Sequence, residues 1–498
     1  MLFVSRPFPF FSAPLRLCAG SSIAIVSQLV IRTGLVTLLL IFVSGRNLRA
    51  QAQSAPIHRL TLEGAIDYAL AHYPAVRAAL EQVESARSGV ALARTSYLPQ
   101  MNPIYQANRA TQNQVAGIFL PASIAPSIEG PVQPYSGARF WNTQAGALLS
   151  WEPIDFGLRR ATVNQARSAE HKSDADVELT RLQVASAAGG HFFNLVTAQQ
   201  SVTAAKADVE RWQVFDRTVQ VLVQQELRPG ADGSRADAEL AMARTRLFQS
   251  QAVEQQAQAI LASLMGAAGA SIQVEPRPLL ASPSADSLPP SAPATHPLAL
   301  DQQASVDELR AKERVINHTD YPRFFLESEA FARGSGANPD GTDAGGLKGL
   351  GLERANWEAG ISVVFPNLFD FPARRDLKRM AEAQERSQEA RYQQTLQDLT
   401  GQIAAAQAAY QAALQIAQNT PIALAAARQA ETQARARYEA GLTNLVEVAE
   451  AEGLLAQAER DDAMARIGAW RGLFGVALAQ GNLEPFLANL RANPRGNP

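Results

Sequence analysis

From Phe156 to about Leu227 the sequence carries a helical pattern without a break, and that run limits what the chain can fold into. Leu195, Ala198, Val202, Ala205, Val209 and Trp212 step by alternating threes and fours. That spacing sets apolar side chains in one seam on a helix packed against another. About 70 residues at about 1.5 Å each extend about 105 Å. No compact domain holds a helix of that length, so the chain builds a coiled-coil arm. A second run in the distal half, with Leu396, Leu399, Ile403, Ala406, Tyr410, Ala413 and Ala417 as its seam, continues to about Tyr438. Pro421 lies inside it and is expected to kink it, because proline removes one helical hydrogen bond.

Each arm ends in a turn and folds back. In the second, Arg437-Tyr438-Glu439-Ala440-Gly441-Leu442-Thr443-Asn444-Leu445, Gly441 can take φ > 0 and end the helix. Thr443 or Asn444 can cap the next one, which runs from Val446 to about Ala479. In the first, Arg228-Pro229-Gly230-Ala231-Asp232-Gly233-Ser234 breaks the arm and a helix returns from about Arg235 to Met265.

The two hairpins belong to an internal duplication. His72-Tyr73-Pro74 is echoed by Thr295-His296-Pro297, and Tyr97-Leu98-Pro99 by Asp320-Tyr321-Pro322. Trp151-Glu152-Pro153-Ile154-Asp155-Phe156-Gly157 is echoed by Phe365-Pro366-Asn367-Leu368-Phe369-Asp370-Phe371. The offset is roughly 211 to 224 residues, far too long for a solenoid repeat. Residues 53–275 form the first copy, 276–297 a proline-rich linker, 298–482 the second copy and 483–498 a C-terminal tail. In the first copy Thr61 is the expected N-cap of the opening helix and Pro74 restarts it.

Within each copy the period changes to two. Strands are expected at about 98–112 and 139–153, and again at about 322–333 and 355–366. Trp141, Thr143, Ala145, Ala147, Leu149 and Trp151 share one face, with a tryptophan at each end. Ten steps span about 33 Å, or about 25 Å once tilted, the height of the apolar band of an outer-membrane barrel between its aromatic girdles. A strand of a soluble sheet would alternate in the same way. Gln112–Gly137 and Gly334–Glu353 read as exposed loops. Four strands cannot close a barrel, and an open sheet edge cannot face lipid. Several chains must therefore share one barrel, and twelve strands from a homotrimer is the economical closure.

Residues 1–52 read as an export signal. Arg32 precedes the apolar run Leu35–Val43, and Ala50-Gln51-Ala52 fits small-x-small cleavage. An anchor that includes Ile23–Ile31 is the alternative, which Arg32 interrupts. Cys18 is the only cysteine, so no internal disulfide forms. The net charge of −2 gives no reason to recruit nucleic acid. The six histidines lack metal-ligand spacing, and neither a phosphate-binding glycine loop nor a nucleophile elbow is present. Asp461-Asp462 and Glu450-x-Glu452 read as solvated helix faces. Neither catalytic residues, cofactor nor metal is expected.

The duplication, the Trp-Glu-Pro-Ile-Asp-Phe-Gly junction and Tyr438-x-x-Gly441-x-x-x-Leu445-x-Glu447-Val448-x-x-Ala451-Glu452 together resemble the outer membrane efflux protein (TolC) family over about residues 60–480. The resemblance implies a mainly α fold with a small β part. It is a trimeric channel in which four strands per chain build a shared twelve-stranded outer-membrane barrel, and coiled-coil hairpins form a periplasmic tunnel. It implies a periplasmic membrane-fusion adaptor and an inner-membrane pump of the resistance–nodulation–division type, or an ABC transporter, as partners. By position, Gly230, Ala231 and Ser234, with Gly441, Leu442, Thr443 and Asn444, are the adaptor-docking tips. Tyr438, Glu447 and Glu450 line the periplasmic gate, and trimerised acids there would form a cation-attracting collar. Family members with a salt-bridge lock carry arginine where this chain has Thr443. The expected role is a passive exit duct for small toxic compounds. The alternatives are a conduit for type I protein secretion or a soluble periplasmic coiled-coil scaffold.

Overall fold

The computed structural model describes residues 60–110, 137–270, 272–283, 288–340, 342–365 and 368–492. The export segment 1–52 and the loop 112–136 lie outside these. In chain order the elements are α1 (Leu62–His72), α2 (Pro74–Thr95), β1 (Gln100–Ala110), β2 (Phe140–Ile154), α3 (Leu158–Gln224) and α4 (Gly230–Leu264). After them come α5 (Pro297–His318), β3 (Arg323–Ser335), β4 (Arg354–Val364), α6 (Phe371–Glu439), α7 (Leu445–Ala479) and α8 (Glu484–Ala492). Thr61 caps α1 by accepting from the Gly64 amide at 3.1 Å, and Pro74 opens α2. The arms α3 and α6 have 67 and 69 residues. At about 1.5 Å per residue each reaches about 100 Å. Helix α6 runs through Pro421.

The strands form one antiparallel sheet in the order β1-β2-β3-β4, so both copies contribute to it and β1 and β4 are its edges. Directly paired residues share a face. The pairs Leu149↔Met101, Ala147↔Pro103 and Ala145↔Tyr105 extend the tryptophan face onto β1. Trp151↔Leu326 and Ala147↔Ala330 carry it to β3, and Leu326↔Ile361 and Ala330↔Trp357 to β4. Its large side chains are bare: Trp357 is 79% exposed, Ile361 76% and Tyr105 69%. The opposite face carries Asn102, Gln106, Asn142, Gln144, Glu327, Glu329 and Glu358. This is apolar-out, polar-in alternation as in a lipid-embedded barrel wall. Among the described residues no helix is long and apolar enough to cross a membrane, which says nothing of a barrel.

The junction motif is a fastening. Trp151 Nε1 donates to the Tyr97 carbonyl at 3.1 Å. Glu152 accepts two hydrogen bonds from Arg323 at 2.7 and 2.8 Å, tying β2 to β3 and so one copy to the other. The Asp155 carboxylate accepts from the Gly157 and Arg159 amides and from Arg159 Nε, which caps α3.

The main core lies part-way along the arms, not at either end. Phe192, Phe193, Tyr410, Trp470, Phe474 and Phe486 pack there with α1. Two expectations are corrected at this core. The stretch expected as a proline-rich linker contributes to the core, because Leu279 and Leu288 are buried there and the Ala281 carbonyl accepts from Trp470 Nε1 at 2.6 Å. The C-terminal segment is not a loose tail, because α8 buries Phe486, Leu487 and Leu490 there. Gly189 permits the crossing: a Cβ on it would lie 2.4 Å from the Phe474 ring.

Candidate functional site

The two hairpin tips lie side by side, although they are built differently. At the second tip Gly441 takes φ +76. The Leu442 amide returns to the Arg437 carbonyl at 2.8 Å, a helix-ending loop that glycine favours. Asn444, rather than Thr443, caps α7 by accepting from the Glu447 amide at 3.2 Å. At the first tip the left-handed residue is Glu226, with φ +57. The turn is therefore complete before Pro229, which occupies the N-cap position, and the helix resumes at Gly230. The expectation of a break through Ser234 is corrected: Gly230, Ala231 and Ser234 form the first turns of α4. An apolar side chain stands bare at each tip, Leu227 at 65% exposure and Leu442 at 73%.

Tyr438 joins the tips. Its ring is wholly buried and packs on Phe215 at 5.4 Å. Its hydroxyl donates to Asp232 Oδ2 at 3.1 Å. Burial, reinforced by the Asp232 carboxylate, pushes the phenol up to about 12. Arg228 closes the arrangement. Its guanidinium lies 4.2 Å from the Tyr438 ring centroid. It donates to the Tyr438 carbonyl and, at 3.3 Å, to the Thr443 carbonyl. Arg228 of the first hairpin is thus bonded to the backbone of Thr443 in the second. Neither Arg228 nor Asp232 is among the residues expected at the tips or the gate, because no local pattern singles either out.

The predicted gate acids separate. Glu447 is engaged, accepting from the Thr443 hydroxyl and pairing with Arg437 Nη1 at 3.1 Å. Glu450 is exposed. Glu452, expected on a solvated face, is 1% exposed. It bonds Arg211 Nε at 3.0 Å and Arg435 Nη2 at 2.5 Å. Burial raises its carboxyl above the usual range against the pull of both arginines. Arg211 also holds Glu459 at 3.1 Å. Asp208 binds Arg246 at 2.9 Å, and Arg435 pairs with Glu431 at 2.9 Å. One charge network therefore links α3, α4, α6 and α7 above the tips. Asp462 is corrected likewise: 5% exposed, it pairs with Arg466 at 2.6 Å. Trp141 and Trp151 lie at opposite ends of β2, far along the chain from this network. Among the described residues no group of three His, Cys, Asp or Glu side chains could hold a metal ion.

Comparison with known proteins gives the same architecture a family. The family model for outer membrane efflux proteins matches residues 65–267 and 288–468. Protein CyaE of Bordetella pertussis is 28% identical over 341 residues, which span 66% of this chain and 65% of that protein. Among solved structures, the channel CusC superposes with a TM-score of 0.70 at 16% identity, covering 84% of this chain and 92% of the other. The Campylobacter jejuni CmeC outer membrane channel gives 0.68 at 19% identity, covering 88% and 90%. The open-state MtrE channel of Neisseria gonorrhoeae gives 0.66 at 17%, covering 84% and 89%. The fold is that of channels rather than enzymes, and the chain belongs to the outer membrane efflux protein family, seated in the outer membrane with its helical part in the periplasm.

Proposed function

We propose that three copies of this chain form a passive exit duct of a tripartite efflux system. An inner-membrane pump delivers small toxic compounds through a periplasmic adaptor, and the duct releases them outside. One observation carries the proposal: a sheet with a bare apolar face and two open edges sits at one end of the helical arms, and paired, locked tips sit at the other. Three such sheets supply twelve strands and leave no edge in lipid. The arms continue the wall below it. The tips form its entrance, with Leu227 and Leu442 as the apolar anchors that an adaptor would cover. Tyr438, Asp232 and Arg228 hold each pair of tips together, and Glu450 supplies the acidic collar.

Asn444→Cys tests the partnership, because Cys18 is the only native cysteine and lies in the export segment. Crosslinking in cells should join this position to a periplasmic adaptor associated with a resistance–nodulation–division pump. Capture of an adaptor bound to an ABC transporter would instead assign the duct to type I protein secretion. Failure to capture any inner-membrane-linked adaptor would contradict both assignments.

A further inference from the structure

The head of α6 carries a charge pattern that its own helix disfavours. Arg374, Arg375, Lys378 and Arg379 fall in its first three turns, where the helix dipole is positive and repels cations. The first copy solves the equivalent problem internally. Its Asp155-Phe156-x-x-Arg159 motif buries Arg159 against Asp155, the Ser96 carbonyl and the Tyr97 ring. The second copy keeps the motif as Asp370-Phe371-x-x-Arg374 but adds cations around an open cleft. With Asp320, Phe371 and Glu382, the four cations line a cavity of about 330 Å³. Asp320 is already committed to Arg374 and Lys378. Arg379 has Asp376 at 3.6 Å, and Arg375 has no ion pair among the described residues. Four cations against two carboxylates leave the lining positive.

Exposed aromatic side chains adjoin the cleft. Phe365, Phe369 and Phe371, at the helix-side end of β4, are 71%, 92% and 67% exposed. They mark the periplasmic rim of the barrel, where aromatic side chains meet the membrane interface. From Phe371 to Arg375 is one helical turn, about 6 Å. The polar layer of a bilayer leaflet is about 5–7 Å deep. The cations thus follow the aromatics along α6 by about the depth of that layer. We propose that this cleft binds the headgroup of an anionic phospholipid in the periplasmic leaflet, with Arg375 and Arg379 on the phosphate and the exposed phenylalanines against the chains.

The test is native mass spectrometry of the assembled full-length protein in mild detergent. Phosphatidylglycerol, phosphatidylcholine and inorganic phosphate are added separately and in competition. Phosphatidylglycerol should be retained about tenfold more than phosphatidylcholine, and Arg375→Gln with Arg379→Gln should erase that preference. Arg391→Gln, about three turns beyond Arg379 on α6 and exposed, should leave it intact. Equal retention of the two lipids, or a preference unchanged in the double variant, would overturn the proposal. Displacement by equimolar inorganic phosphate would also overturn it, since the cleft would then be an ion site. If the double variant does not assemble, the lipid preference of the parent and of Arg375→Gln alone decides.

Discussion

The Tyr438 hydroxyl and Asp232 Oδ2, 206 residues apart in the chain, meet at 3.1 Å and join the tips of the two hairpins. A phenol–carboxylate bond of this kind contributes about 1.5–3 kcal/mol, because one partner is charged. Tyr438→Phe keeps the ring on Phe215 and removes only that bond. It should raise the fraction of open channels without loss of assembled protein, as read by conductance and by the yield of outer-membrane oligomer.

The same bond fixes a pH window. The phenol is raised to about 12 in the fold, against an ordinary value near 10. A group raised in this way contributes stability that is complete below about pH 10 and is lost as pH climbs through about 12. Closure through this bond should therefore be flat from neutral pH to about 10. Conductance followed against pH should show opening only in the alkaline limb, and Tyr438→Phe should abolish that limb.

Arg228 holds two carbonyls and an aromatic face at once. Lysine cannot reproduce that fork. Arg228→Ala should loosen the tips by about 2–3 kcal/mol, and Arg228→Lys should restore less than half of the effect. Sensitivity of cells to large antibiotics that a closed duct excludes provides the readout.

Glu452 and Glu450 differ by half a helical turn and should behave oppositely. Glu450→Gln changes an exposed side chain and should leave thermal unfolding unchanged. Glu452→Gln removes the buried carboxylate that Arg211 and Arg435 share and leaves each with one partner, Glu459 and Glu431. Losing charge-assisted hydrogen bonds of this kind costs about 1.5–3 kcal/mol. The melting temperature of the purified oligomer should fall clearly in that variant alone.

Ala147 lies mid-strand on the tryptophan face, beside Pro103 and Ala330. Ala147→Arg puts a charge at bilayer depth, at a cost of about 2–4 kcal/mol in each chain. The variant should be lost from the outer-membrane fraction. Asn102→Arg, on the neighbouring strand next to Pro103 but on the exposed polar face, should assemble.

The parts of this molecule that were legible from sequence are those governed by local rules. Alternation around Trp141 and Trp151 revealed the strand and its lipid face. Gly441 and Asn444 announced a helix end and a helix start, because only certain residues tolerate those backbone positions. Glu226 gave no such warning: a glutamate in the left-handed region is held there by the surrounding turn. Arg228 and Glu452 were misread or missed for a related reason. Tyr438 lies 210 residues from Arg228, and Arg211 lies 241 from Glu452, and no local period reports a contact at that distance. The burial of α8 and of Leu279 and Leu288 was equally hidden, since short apolar segments show their core only once the arms that receive them are placed.

Single-channel conductance of the purified full-length protein in planar bilayers tests the central claim most directly. The account predicts a nearly closed parent channel and a severalfold larger, stable conductance when Tyr438→Phe and Arg228→Ala are combined. A double variant that conducts no better than the parent, while still inserting as intact oligomers, would contradict a duct held shut by these tips.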